Sequence, residues 1–281
     1  VHAGIKIVGS HIDSPRLDLK ANPVHEQDGI VYFRTHYYGG IKKYQWTCIP
    51  LALIGVVYTK DGKKVDINIG LKDDDPIFYV SDLLIHMAQD QMKKTLAEGI
   101  TGEQLQAIAG TNAEEDLKPK EVFMKMLKDT YGIEEEDFAA AELELVPATK
   151  SRDVGFDRSL IASYGQDDRV CSYANLEAIL QAKPGVKTRA ALLTDKEEIG
   201  SYGNTGMESS YFVKFVMKLL ALQGKNTILD FYETMENSEM LSADVNSCLD
   251  PMFAEVSEKD NASFLGYGIN LTKYGLSLIH I

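Results

Sequence analysis

The stretch Thr194-Asp195-Lys196-Glu197-Glu198-Ile199-Gly200-Ser201, directly after the apolar run Ala190-Ala191-Leu192-Leu193, constrains this chain more than any other. An apolar run cut short by a charged turn and a glycine reads as a buried strand that stops abruptly, which puts two adjacent glutamates where a strand ends. In open α/β folds, ligands and chemistry gather at the carboxyl ends of strands. On a regular strand the two side chains would face opposite ways, but at a turn both can approach one cavity and do different work. One carboxylate could hold a metal while the other takes a proton from water. A solvated acidic turn would read the same, so the rest of the chain has to decide.

Other acids and a histidine sit at comparable breaks. Ile5-Lys6-Ile7-Val8 is a strand candidate that runs into Gly9-Ser10-His11-Ile12-Asp13-Ser14-Pro15. That places His11 at a strand end, with Asp13 near enough to fix an imidazole tautomer or to steady a general base. Tyr164-Gly165-Gln166-Asp167-Asp168-Arg169-Val170-Cys171-Ser172 opens a helix expected to reach residue 182. Helix capping and the mounting of a bridging carboxylate are both open there. Met240-Leu241-Ser242-Ala243-Asp244-Val245-Asn246 approaches a further strand end. If these strands alternate with helices, the ends carrying His11, Asp168, Asp244 and Glu197-Glu198 could converge on one side of a sheet. Oxygen and imidazole donors without thiolate suit zinc, manganese or cobalt in a site with an open position. Two such ions about 3.5 to 4 Å apart would polarise a carbonyl and acidify a bridging water. No Gly-rich phosphate loop, Gly-x-Ser-x-Gly elbow or His-Glu-x-x-His helix competes.

Between residues 22 and 149 the character changes. Residues 29–38 are rich in β-branched and aromatic side chains, and 50–58 and 63–69 flank Asp61-Gly62, a hairpin signal. Helices are expected over 81–96 and 118–131, a loop over 99–115 and a strand over 141–146. After the glutamate turn, the pattern predicts helices over 206–222 and 226–236 and a strand over 264–272, while 275–281 follow no pattern. A net charge of -13 argues against nucleic acid or an anionic membrane as partner. No apolar run approaches the roughly 18 residues of a membrane span. Cys48, Cys171 and Cys248, odd in number and far apart, suggest reduced thiols and a cytoplasmic protein.

Ser-His-Ile-Asp-Ser-Pro-Arg-Leu at 10–17, Asp-Asp-Arg at 167–169, Asp-Lys-Glu-Glu-Ile-Gly-Ser at 195–201 and Ser-Ala-Asp-Val-Asn at 242–246 together resemble the aspartyl aminopeptidase family of dinuclear zinc exopeptidases. The resemblance implies an α/β fold, a zinc-exopeptidase-like mixed sheet flanked by helices. It implies a discontinuous catalytic domain over 1–21 and 150–281 and an inserted β-rich dimerisation domain over 22–149. His11, Asp168 and Asp244 would bind one metal, Asp168 would bridge to a second, and Glu198 would ligate that second ion. Glu197 would be the general base and Asp13 would support the ligands. His86, within Leu84-Ile85-His86-Met87-Ala88, resembles the histidine that reaches a neighbouring subunit's active site in assemblies of up to twelve chains.

The implied activity is metal-dependent removal of an amino-terminal residue, possibly acidic, from a peptide substrate. The family's final metal-binding histidine has no counterpart here, since His280 does not fit its position, so the chain reads as an interior fragment lacking one ligand. An amidohydrolase acting on N-acylated amino acids and a non-catalytic assembly subunit are the alternatives.

Overall fold

The computed structural model describes residues 1–272. In chain order its strands are β1 (Ile5–His11), β2 (Arg16–Gln27), β3 (Ile30–Tyr38), β4 (Pro50–Tyr58), β5 (Lys64–Ile69), β6 (Phe78–Tyr79), β7 (Ala107–Gly110), β8 (Glu142–Pro147), β9 (Arg152–Val154), β10 (Leu160–Ala162), β11 (Thr188–Thr194) and β12 (Glu239–Ser242). The α-helices are α1 (Leu96–Gly99), α2 (Pro119–Tyr131), α3 (Gln166–Gln181), α4 (Tyr211–Ala221) and α5 (Ile228–Glu236). The chain divides into two compact units. The first comprises Val1–Ile12, Asp167–Leu193 and the chain from Val216, the second Asp13–Gln166 and Thr194–Phe215.

The second unit is built on a seven-stranded sheet in the order β5-β4-β6-β7-β3-β2-β8. Because β8 pairs antiparallel with both β2 and β4, the sheet closes on itself and β5 hangs on β4. Alternation along β3 sends Val31, Phe33 and Thr35 inward. Leu17, Val31, Phe33, Leu51, Leu105 and Leu145 are fully buried, and Phe33 meets Phe123 edge-on at 5.6 Å between ring centroids. Burying such side chains stabilises the unit by about 1.5–3 kcal/mol each. The β4–β5 hairpin turns at Asp61-Gly62, where Gly62 takes φ +81. Gly55 is at φ +133, and a Cβ there would run into the Glu142 carbonyl of β8.

Three expectations change. Residues 81–96 form 3-10 turns at Ile85–Met87 and Gln91–Lys93 in place of a helix. Leu83, Leu84, Ile85 and Met87 lie exposed, so no apolar face packs to hold a helix, and Asp82 Oδ1 accepts bonds from Leu83 N and Gln91 Nε2. The expected loop over 99–115 contains β7, which pairs with β3. Residues 264–272 run without a strand; just before them a bridge pairs Cys248 with Ser263, and Asn246 Nδ2 donates to Ser263 Oγ at 2.9 Å. The tail at 275–281, with His280, lies outside the described residues.

In the first unit β1 lies between β11 and β12, parallel to β12 with Ile7 opposite Met240. The strand runs on to His11, beyond the apolar run that announces it. Among the described residues, no helix is long and apolar enough to cross a membrane, and the three cysteines are free.

Candidate metal centre

In the first unit, three element ends bring one imidazole and two carboxylates together. His11 closes β1, Asp167 stands at the start of α3, and Asp244 lies just past β12. One donor atom from each falls within 4.8 Å of the others. His11 Nε2 is 3.1 Å from Asp167 Oδ1 and 3.8 Å from Asp244 Oδ1. The imidazole is buried while both carboxylates are half exposed, their side chains each 54% accessible. Oxygen and borderline nitrogen donors with one face open match the donor chemistry of a catalytic zinc site.

Asp168, which the sequence reading placed as bridging ligand, lies outside this group. The peptide between it and Asp167 is cis, and neither residue has helical backbone angles. Asp168 turns inward with 0% exposure, and among the described residues neither carboxylate oxygen has a hydrogen-bond partner. Burial pushes its pKa up. The thiol of Cys171 is pushed up to about 12, by burial and then by Asp168, so it stays protonated and is no thiolate donor. Asp167 is therefore the acid of the pair that faces His11.

The end of β1 is fixed by a buried hydroxyl network. Ser172 Oγ donates to the His11 carbonyl at 2.8 Å, Ser10 and Ser172 hydroxyls lie 2.9 Å apart, and Asn175 Nδ2 donates to Ser10 Oγ at 3.0 Å. A second group of possible donors, His2, Asp230 and Glu233, is committed elsewhere: Asp230 caps α5 through Thr227 and pairs with Lys225.

In the second unit, the Glu197-Glu198 turn is a short 3-10 helix entered through Lys196 at φ +70 and left through Gly200 at φ +93. Asp13 anchors it. Its Oδ1 accepts from Glu197 N and its Oδ2 from Glu198 N, both at 3.2 Å. The Tyr38 hydroxyl, at the end of β3, donates to the same Oδ2 at 2.6 Å. Burial, and then the Asp13 bond, push the Tyr38 pKa up, so the phenol remains a donor. Gly39, at φ +78, faces Glu198; a Cβ there would come within 3.3 Å of Glu198 Oε2. Asp13 thus accepts from the backbone of both glutamates of the turn. His86 stands exposed in the turn Ile85–Met87.

Asp167, Tyr38, Gly39, Ser172 and Asn175 were not singled out by sequence reasoning. Only Asp167 carried a signal, as the neighbour of Asp168 at a helix start.

Comparison with known proteins agrees with the motifs. The family model for aminopeptidase I zinc metalloprotease (M18) matches residues 1–276. A curated M18 family aminopeptidase 1 from Clostridium acetobutylicum is 49% identical over 278 residues, covering 98% of this chain and 60% of the relative. Its counterpart from Thermotoga maritima is 46% identical over 275 residues, covering 96% and 60%. The crystal structure of an M18 aminopeptidase from Thermotoga maritima superposes with a TM-score of 0.91 at 45% identity, over 95% of this chain and 60% of that one. The chain thus spans about 60% of the length of the curated relatives it matches.

Proposed function

The chain belongs to the M18 family of aminopeptidase I zinc metalloproteases, and from that premise we propose that the protein it represents is a zinc-dependent aminopeptidase, removing amino-terminal residues, acidic ones among them, from peptides. The observation that carries the reading is the convergence of His11, Asp167 and Asp244. These three would hold one divalent ion and Glu198 would be a ligand of a second. Zinc bound there would polarise the scissile carbonyl and lower the pKa of water to about 7.

The chain's own residues do the rest. Glu197 takes a proton from the attacking water and returns it to the leaving amine, so that the carbon–nitrogen bond breaks without releasing a charged amide. Asp13 holds the backbone of both glutamates. Ser172 fixes the backbone of His11. The protein acts in the cytoplasm as a homo-oligomer, with His86 reaching the site of a neighbouring copy. The exposed Leu83, Leu84, Ile85 and Met87 beside it support that contact.

The test is Glu197→Gln in a protein of the relatives' full length. Turnover of free-amine peptides should fall by about 10²–10⁴-fold, with bound zinc unchanged by elemental analysis. Retained turnover would reject the base, and hydrolysis confined to N-acylated substrates would reject the aminopeptidase.

A further inference from the structure

We infer that Tyr38 is a positioning residue for the proposed reaction, locking the Asp13 carboxylate so that it holds the Glu197-Glu198 turn in its working register. The inference rests on the reading of Glu197 as general base and adds a residue that the motifs do not contain.

A carboxylate that accepts two successive backbone N–H groups fixes a turn only if the carboxylate cannot rotate. Asp13 is buried, and its Oδ2 is shared by Glu198 N and the Tyr38 hydroxyl. Without the hydroxyl, the shortest of the hydrogen bonds described for this carboxylate, and one that comes from a separate element, is gone. Tyr38 is itself held. Its ring is 5% exposed, and the Arg16 guanidinium carbon stacks 3.8 Å from the ring centroid. Arg16 is pinned in turn by Asp18 at 2.7 Å and Glu144 at 3.1 Å. Lys196, which opens the turn, places its ammonium 5.5 Å from the centroid of the same Tyr38 ring. Arg16 and Asp18 of β2, Tyr38 of β3, Asp13 and the glutamate turn are therefore joined by one run of polar and ring contacts. Misplacing a catalytic group by about 1 Å costs on the order of 100-fold in rate, and a turn loosened in part should lose about half of that on the free-energy scale, some tenfold.

The experiment uses Tyr38→Phe in the full-length protein, which keeps the ring and its stack on Arg16 and removes one oxygen. Peptidase kcat should fall about tenfold with KM within about twofold. Amide hydrogen exchange should speed up at Glu197 and Glu198 and stay unchanged along β3. Unchanged kcat, a KM that moves with kcat, or unchanged exchange at the two glutamates would each overturn the inference. If the unsubstituted protein loaded with zinc has no turnover, the aminopeptidase reading fails, while the exchange measurement still decides whether Tyr38 holds the turn.

Discussion

Asp167 and Asp168 share a side chain and differ in everything that surrounds it. Asp167 sits beside His11 at the surface, whereas Asp168 is enclosed, with no hydrogen bond to either oxygen among the described residues. An unpaired buried carboxylate costs stability when ionised, and its raised pKa expresses that cost. A ligand carboxylate gains from the ion it holds. Asp167→Asn should therefore weaken zinc binding by more than about 100-fold, the upper range for groups that merely support a ligand, while Asp168→Asn should leave it within about threefold. Chelator competition on the full-length variants measures both, and equal losses would reject the assignment of Asp167. The sequence could place His11, Glu197, Glu198 and Asp244 at or just past the ends of strands because each follows an apolar run cut by turn residues. It could not separate the two aspartates, since which one faces the imidazole depends on backbone angles of -84, 110 and -118, 37 degrees that no composition encodes. Tyr38 escaped for a related reason: strict alternation from Val31, Phe33 and Thr35 would turn Tyr37 inward, whereas the buried residue is Tyr38.

At the scale of elements, α5 has the best-defined start. Thr227 accepts from Asp230 N, and the Asp230 carboxylate accepts from both the backbone and hydroxyl of Thr227. Thr227→Ala should cost about 1 kcal/mol. The Thr227 hydroxyl first, then its backbone N–H and Lys225, hold the Asp230 pKa below the ordinary carboxylate value. A depressed acid stabilises the fold above its unfolded pKa, about 3.9, and loses that contribution as pH falls through the lower folded value. The Tm gap between the native chain and Asp230→Asn should thus hold steady from about pH 7 to about pH 4 and close below it. A gap that persists unchanged in stronger acid would show that the charge plays no part. The helix itself was legible, though its capping box was not singled out, and so was the Asp61-Gly62 hairpin. Strand β2 was not, because Asn22-Pro23 reads as a break while the strand passes through it with a register shift between Leu19 and Val24. The stretch 81–96 misled in the opposite direction: its apolar residues have helical spacing, but Leu83, Leu84, Ile85 and Met87 are each half or more exposed.

That last stretch matters at the scale of the whole molecule. Leu84 and Met87 are each 70% exposed, and Ile77, Met92 and Leu96 add to the apolar surface of the same unit. Single exposed apolar residues are ordinary, but a run of them on turns rather than on a packed helix is a surface that water covers at a cost. A second copy of the chain is the occupant we propose, because the segment also carries His86, the residue assigned to a neighbour's site. Burial at the centre of such a contact makes one leucine worth about 2 kcal/mol, and a charge in its place removes that and adds desolvation. Leu84→Asp should weaken self-association by roughly thirty-fold or more, while the sheet core around Phe33 and Leu145 keeps its own stability. Light scattering across a dilution series would detect the shift to smaller species, with far-ultraviolet circular dichroism confirming that the fold is intact. If the assembly mass and its concentration dependence match those of the unsubstituted protein, this segment is not the contact. Turnover read in the same samples then separates two roles, since a site completed by the partner's His86 should lose kcat in step with dissociation, and a self-sufficient site should keep it.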